Sequence, residues 1–349
     1  MSRGTGLDFH MNTTTRLTYS LITPANILVT ITVLVSNLFG LVVNSLYLWV
    51  LRFRMRKSNN TTWLFHYILS NLLFTFVMPF LAVCLIMNPH WIMGTFLCKS
   101  IHSLDSVCMY ASVFFLTVIS LDRFSLVFHP VWYRRHMKNL FASAICISIW
   151  GLAILFSSPY LVFRQTRLLE DNKTTICYND YTLSGSIWQK SAIQLKWVMF
   201  SFRLILGFLL PFSVITLCYV RIALKMKKGN LARSSKPYKI IFIFVASFFV
   251  SWFPYHLWYG MTIEEGRFHK TTLDILMVLI ICFICFNYCF TPLLYLFIAE
   301  NFKKTLRKSV LSLIESALNP FNRSFEDKSD MTANSSVTRE TLARSNFKE

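Results

Sequence analysis

Residues 98–132 read CKSIHSLDSVCMYASVFFLTVISLDRFSLVFHPVW. The stretch opens on Cys98, carries an acid at Asp105, runs through an apolar middle and closes on the pair Asp122-Arg123. As one helix it separates Asp105 from Asp122 by about 25 Å, at 1.5 Å of rise per residue. One acid then lies near each face of a bilayer. A charge inside a membrane segment is costly unless it is paired or hydrated. Both acids are therefore functional candidates, and the remaining chain is placed around the helix that carries them.

The 349 residues are 54% hydrophobic, 16% aromatic and only 15% charged. A soluble surface cannot be built from that ratio. Apolar runs of about 20 residues recur instead, each long enough to cross a ~30 Å hydrocarbon core. Seven are legible, near residues 28–51, 62–86, 97–128, 141–163, 197–225, 238–261 and 272–298. The expected fold is an all-α membrane protein, a seven-transmembrane helix bundle over residues 27–299. An extracellular segment over 1–26 precedes it; a short amphipathic helix over 300–316 and a disordered cytoplasmic tail over 317–349 follow. Residues 1–20 are polar and lack the apolar core of a signal peptide, so the first span is expected to direct its own insertion.

Lysines and arginines orient the bundle, because short cytoplasmic loops collect them. Arg52, Arg54, Arg56 and Lys57 follow the first span, and Arg134, Arg135 and Lys138 follow the third. Lys225, Lys227, Lys228, Arg233, Lys236 and Lys239 lie between the fifth and sixth, and Lys303, Lys304, Arg307 and Lys308 follow the seventh. These loops are read as cytoplasmic, which puts the N-terminus outside. The net charge of +19 is concentrated in juxtamembrane loops, which argues for anionic lipid and against a nucleic-acid partner.

Topology also sorts the cysteines and the glycosylation signals. Cys84, Cys108, Cys146, Cys218, Cys282, Cys285 and Cys289 fall inside apolar spans, where a thiol behaves as a small hydrophobe. Cys98 and Cys177 alone lie on the oxidising side, and a disulfide between them would pin the loop after the fourth span onto the top of the third. No cysteine or histidine cluster has metal spacing, and no cofactor is expected. Asn12-Thr13-Thr14 and Asn172-Lys173-Thr174 are plausible outer acceptors; Asn59, Asn60, Asn322 and Asn334 match the pattern on the wrong side.

Pro79, Pro159 and Pro254 each fall inside a span and mark expected kinks, and Arg203 stands eight residues before Pro211 in the fifth span. The outer loop from Arg164 to Lys196 exceeds ~15 residues and reads as a lid over a pocket. After the seventh span, Phe302, Leu306, Val310 and Leu311 recur at helical spacing among basic residues, the pattern of a helix lying on the inner leaflet. The polar tail offers Thr332, Ser335, Ser336, Thr338 and Thr341 for phosphorylation.

Seven spans, Cys98 with Cys177, Asp122-Arg123-Phe124, Trp252-Phe253-Pro254 and Thr291-Pro292-Leu293-Leu294-Tyr295 together resemble a rhodopsin-like G-protein-coupled receptor. The segments FLCKSIHS, FHPVWYRRH, SSPYLVFR, RLILGFLLPF, SSKPYKIIF and YLFIAENFKK are similar to the chemoattractant branch, the formyl-peptide and chemerin receptors and their orphan relatives. The resemblance implies a plasma-membrane receptor for an extracellular peptide or lipid mediator. It also implies coupling to an inhibitory heterotrimeric G protein, with arrestin reading the tail. It assigns Asp122 and Arg123 to the G-protein end, Phe248, Trp252 and Pro254 to the moving core of the sixth helix, and Tyr219, Pro292 and Tyr295 to the inner switch.

Three positions depart from the family pattern. Asn71 stands where an aspartate is usual, so the inner carboxylate of the family's sodium site is missing. Thr291 replaces an asparagine, and Phe124 a tyrosine. The segment Arg233-Ser234-Ser235-Lys236 supplies no acid to latch Arg123. These departures motivate a second reading, a non-signalling or weakly coupled scavenger receptor for the same ligands.

Asp105 and Arg203 are the polar groups expected to face an outer pocket, with His256 and Tyr255 lining it from the sixth helix. Arg203 would hold a ligand carboxylate in a bidentate fork while Asp105 meets an amine or amide. The alternative is that the two neutralise each other and tie helices together. Formyl-peptide receptors place their helix-three acid one residue later, where this chain has Ser106, and one residue is ~100° of rotation. An amine receptor is disfavoured by the cation at Arg203, and a retinal pigment by the absence of lysine between Thr272 and Ile298. Neither HExxH nor GxSxG is present, and the two halves show no repeat, which argues against a membrane hydrolase and a transporter.

Overall fold

A computed structural model describes residues 13–87, 90–169, 174–182, 189–228, 236–264, 266–298 and 308. Helix α1 spans Thr13–Phe53, α2 Asn59–Met87, α3 Gly94–Phe128 and the short α4 Pro130–His136. Two pieces follow, α5 over Asn139–Ser157 and α6 over Pro159–Phe163. A hairpin of β1 (Arg164–Leu168) and β2 (Thr175–Asn179) comes next. Helix α7 (Gln189–Leu204) passes through a π-helical turn at Ile205–Leu209 into α8 (Leu210–Lys228). Helices α9 (Lys236–Met261) and α10 (Lys270–Ile298) complete the order. Six stretches among the described residues are long and apolar enough to cross a membrane: Ile27–Phe53, Asn59–Val83, Gly94–Phe128, Leu140–Phe163, Ala192–Lys227 and Lys270–Cys289. With α9 between the last two, the order is that of the expected all-α membrane fold.

Asn12, Asn172 and the tail residues Thr332, Ser335, Ser336, Thr338 and Thr341 lie outside the described residues, as does the 300–316 segment apart from Lys308. Pro292 and Tyr295 belong to α10, but their side chains also fall outside the described ones.

Lipid is as apolar as a leucine side chain, so close approach and interhelical hydrogen bonds, more than burial, hold such helices together. Gly40 of α1 shows the first device. A Cβ there would lie 2.7 Å from Cys289 Sγ and 3.0 Å from Thr75 Cγ2, so only glycine lets α1 approach α10 and α2 this closely. One turn on, Asn44 Nδ2 donates to the Tyr288 carbonyl at 3.1 Å and fastens the same contact. Ser70 and Ser112 join α2 to α3 at 2.8 Å, and Trp150 Nε1 donates to His66 Nδ1 at 3.3 Å between α5 and α2. Leu28, Val35, Leu38, Ile147, Leu155 and Leu217 point outward, as a lipid-facing surface requires. α3 is the most enclosed of the spans, with Cys108, Met109, Tyr110, Ala111 and Val113 buried at its middle.

Proline sets the irregularities. Pro79 and Pro254 stay inside α2 and α9. At Pro159 the expected kink is a break: α5 ends at Ser157, Ser158 caps it, and the proline restarts the chain as the first residue of α6, where a missing N–H costs nothing. Pro211 has no N–H for the carbonyl four residues earlier, and the widened π turn lies directly before it. Gly207 sits in that turn; a Cβ there would come within 3.1 Å of Met109 Cε and 3.2 Å of Tyr110 Cε1, so the turn can press against α3 only without a side chain.

The hairpin pairs antiparallel in the register Arg164↔Asn179, Thr166↔Cys177 and Leu168↔Thr175. Cys177 is bonded to Cys98 at the start of α3, the disulfide expected from topology. Trp91 N–H donates to the Thr175 carbonyl at 2.6 Å, Thr175 N–H to His90 Nδ1 at 3.0 Å, and Thr95 and Thr166 hydroxyls meet at 2.5 Å. The hairpin is thus sewn to the α2–α3 connection along its length.

Candidate functional site

Beneath the hairpin, α3, α6, α7 and α9 converge on one cation. Arg203, in the last turn before the π segment, is only 4% exposed. Its guanidinium lies between the rings of Tyr160 and Tyr255, at 5.3 and 5.0 Å from their centroids. Nη1 donates to the Tyr160 hydroxyl and to Ser106 Oγ, the latter at 3.4 Å. Nη2 donates to Met109 Sδ at 3.3 Å, and buried Nε has no partner among the described residues.

Asp105 is half-buried one residue away, and among the described residues no ion pair joins it to Arg203. The charges of Arg203 and Arg164 both reach it through space. Of the two sequence readings, direct neutralisation is not the contact formed here. The hydroxyl of Ser106 occupies the place opposite the guanidinium, as the ~100° offset between successive helix positions allows.

Sequence reading counted Arg164 only as a loop charge. It opens β1, where Nη1 donates to the Cys177 carbonyl and Nη2 contacts His102 Nδ1, both at 3.3 Å. Burial pulls its pKa down from the usual arginine value, against nearby Tyr160 and Tyr255; an arginine nonetheless remains charged. Tyr181, from the loop read as a lid, and the unforeseen Tyr259 meet hydroxyl to hydroxyl at 3.3 Å and roof the site. Next to them the Thr182 hydroxyl and N–H bind Asp180 at 2.6 and 3.0 Å and hold its carboxyl below the usual range. A narrow cleft runs from this roof between α5–α6 and α7, past Phe156 and Tyr160 on one side and Phe202 and Arg203 on the other.

Deeper along α9, His256 is buried against Phe208 and Tyr255, at centroid distances of 5.0 and 5.4 Å, and neither ring nitrogen has a partner among the described residues. Trp252 stacks obliquely on Phe248 at 6.0 Å and meets Tyr255 and Tyr288 edge-on at 5.5 and 6.3 Å. Tyr255 therefore touches both Arg203 and Trp252, linking the pocket to the helix that contains Pro254.

Mid-bundle, Asn71 is fully buried; its Oδ1 accepts from Ser112 at 3.5 Å, and its Nδ2 is unpartnered among the described residues. Tyr288 stacks on Phe74 at 3.7 Å close by. A cation there would meet neutral dipoles and aromatic carbon, so these residues do not fit the family's sodium ion. No group of three or more histidine, cysteine or acidic side chains could hold a metal among the described residues.

At the far end of α3, Asp122 is buried and accepts from Trp63 Nε1 at 3.2 Å and from the Tyr133 hydroxyl at 2.6 Å. Burial and this carboxylate push the Tyr133 pKa up to about 12. Arg123 is half-buried with an unpartnered Nε, and no ion pair engages it among the described residues. Ser120 Oγ donates to the Tyr219 hydroxyl at 3.4 Å, and Lys225 Nζ closes the α3 terminus on the Val127 carbonyl at 2.7 Å.

Comparison with known proteins agrees with this layout. The family described as 7 transmembrane receptor (rhodopsin family) matches residues 43–295. The chain is 40% identical over 317 residues to probable G-protein coupled receptor 33 of Pan troglodytes, covering 88% of this chain and 94% of that one. It is 34% identical over 282 residues to the C3a anaphylatoxin chemotactic receptor of Oncorhynchus mykiss, covering 80% and 76%. It is 32% identical over 322 residues to N-formyl peptide receptor 3 of Pongo pygmaeus, covering 88% and 90%. The chain belongs to the rhodopsin family of seven-transmembrane, G-protein-coupled receptors and is related to chemoattractant receptors.

Proposed function

We propose that this receptor lies in the plasma membrane with its N-terminus outside, binds an extracellular peptide or lipid mediator of chemoattractant type, and activates an inhibitory heterotrimeric G protein. The observation that carries the reading is the buried Arg203, which no ion pair engages among the described residues, under a hairpin pinned by Cys98–Cys177. A ligand anion would supply the missing counter-charge. Because Arg203 packs on Tyr255 and Tyr255 on Trp252, an anion at the guanidinium bears on the α9 segment around Pro254. Such a ligand shifts the bundle only if it binds one packing more tightly than the other. At the other end Arg123, which no ion pair engages among the described residues, is the group offered to the G protein, and Tyr219, Pro292 and Tyr295 are proposed to take part in the inner switch. Asn12 and Asn172 are the proposed glycan sites, and the tail serines and threonines the arrestin signal.

The test is G-protein dissociation in cells challenged with formylated peptides, chemerin-like peptides and lipid mediators. We expect a response in the intact receptor, loss of it in Arg203→Ala, and loss of coupling with retained surface expression in Arg123→Ala. Unchanged signalling in Arg123→Ala would sink the mechanism. The neutral Asn71 core favours one second reading, a scavenger receptor, for which ligand uptake would proceed without G-protein dissociation.

A further inference from the structure

No aspartate or glutamate occurs between Asp180 and Glu264, and α7, α8 and α9 all fall inside that interval. Neither α8 nor α9 can therefore offer Arg123 an acid, and its neighbour Asp122 is taken up by Trp63 and Tyr133. The foot of α8 carries cations instead, at Arg221, Lys225, Lys227 and Lys228. These residues suit a latch of reversed polarity, a cation on α8 set against negative charge on α3.

The end of α3 supplies that negative charge. The last carbonyls of a helix have no partner within it and together carry roughly half an elementary negative charge. The Ser125 carbonyl is met by the His129 N–H, which caps α3. The Val127 carbonyl accepts from Lys225 Nζ at 2.7 Å, across 98 residues of chain. The same ammonium lies 4.5 Å from the centroid of the Phe128 ring, and Phe128 stacks on Phe124 at 4.6 Å with planes 22° apart. Phe124 directly follows Arg123, and Val127 lies about 6 Å beyond Arg123 along the axis, one helical turn. Further in, Ser120 and Tyr219 join the same two helices. Lys225 thus ties α3 to α8 nearer the cytoplasmic end, and its exposed position puts the tie where an arriving partner meets it.

We propose that Lys225 is an autoinhibitory clasp, an ammonium of α8 on the C-terminal carbonyls of α3 that keeps the cleft beside Arg123 closed at rest. A hydrogen bond of this length does not survive a separation of the two helices by more than about 1 Å. The clasp therefore stabilises the closed packing alone, and its loss raises the open population with no ligand present. The inference rests on the receptor reading above and adds the contact that sets its resting activity.

The test uses the full-length receptor in lipid nanodiscs, spin-labelled through Leu140→Cys at the start of α5 and Lys227→Cys near the end of α8, both exposed positions. Cys282→Ser removes an exposed native thiol from this background. Double electron–electron resonance then reads the distance between the labels without ligand or G protein. We expect Lys225→Met, which keeps the length of the side chain and removes its charge, to raise the ratio of long to short distances about tenfold, the joint effect of a cation at a helix C-terminus and over an aromatic face. Lys225→Arg should keep the distribution of the unsubstituted receptor. Phe128→Leu, which removes the ring and leaves the Val127 carbonyl, should move it part of the way. Ligand-free nucleotide exchange on an inhibitory G protein, measured on the same preparations, should rise in the same order. An unshifted distribution in Lys225→Met, or an equal shift in Lys225→Arg, would overturn the clasp. The two readings fail separately. Exchange with unshifted distances removes the clasp and keeps the receptor; shifted distances with no exchange in any variant keep the clasp and remove the coupling.

Discussion

Arg203 donates to Ser106 Oγ at 3.4 Å, and Asp105, the preceding residue on the same helix, is not its ion-pair partner. A buried cation in this position contributes little net stability, because the hydroxyls around it return only part of its lost hydration. Replacing buried charges by apolar residues of similar volume is often neutral or stabilising, by up to about 1–4 kcal/mol. Arg203→Met is therefore expected to keep or raise the thermal stability of the purified receptor while abolishing its response to an anionic ligand. A clear drop in Tm would mean that the guanidinium serves chiefly to tie α3, α6 and α7 together.

Tyr133 closes the other end of α3 by donating to buried Asp122 at 2.6 Å. Tyr133→Phe leaves that carboxylate with the Trp63 indole as its remaining side-chain donor. The expected cost is about 1.5–3 kcal/mol, the range for a hydrogen bond to a charged group. The contact should not respond to ordinary pH. A raised tyrosine pKa contributes stability that is complete below the unfolded value of about 10 and is lost only as pH rises toward about 12. Thermal melts of wild type and Tyr133→Phe should differ by a constant amount from pH 6 to pH 9; a difference that shrinks across that window would refute the assignment.

Gly40 is expected to be intolerant of any side chain because of Cys289 and Thr75. Gly40→Ala places a methyl 2.7 Å from Cys289 Sγ, and overpacking of this kind costs about 1–3 kcal/mol. Cys289→Ala removes the nearer obstacle, so the double variant should recover part of the loss. A double-mutant cycle with no coupling would show that α1 simply moves aside.

The neutral core around Asn71 should make the receptor indifferent to sodium. Exchanging sodium chloride for choline chloride at equal ionic strength is expected to leave the melting temperature of the ligand-free receptor unchanged. Stabilisation specific to sodium would require an anionic site that Asn71, Ser112 and Tyr288 do not form.

Much of this protein was legible before any coordinates. Spans could be read because membrane insertion depends on apolarity summed over about 20 residues, a property that neighbouring helices do not alter. The Cys98–Cys177 bond could be read because both thiols lie on one side of the membrane. The π turn at Ile205–Leu209 was not legible. Pro211 marks its neighbourhood, but a kink, a break and a widened turn all satisfy a proline, and the sequence around Pro79, Pro159 and Pro211 does not say which one forms.

The candidate pocket divides in the same way. Asp105, Arg203, Tyr255 and His256 stood out because a polar or aromatic residue in the outer half of a span is conspicuous against its apolar neighbours. Ser106, Met109, Tyr160 and Arg164 did not, since each is ordinary in its own segment and matters only through what it faces. One residue turns a helix side chain by ~100°, and the widened π turn next to Arg203 adds an offset that no periodicity records. Sequence alone determined the all-α membrane fold, the approximate course of its spans and the motifs they carry. Only the tertiary structure decided that Arg203 meets Ser106 in place of Asp105 and that Asp122 answers to Tyr133 and Trp63, because contacts depend on the relative rotation of helices distant in the chain.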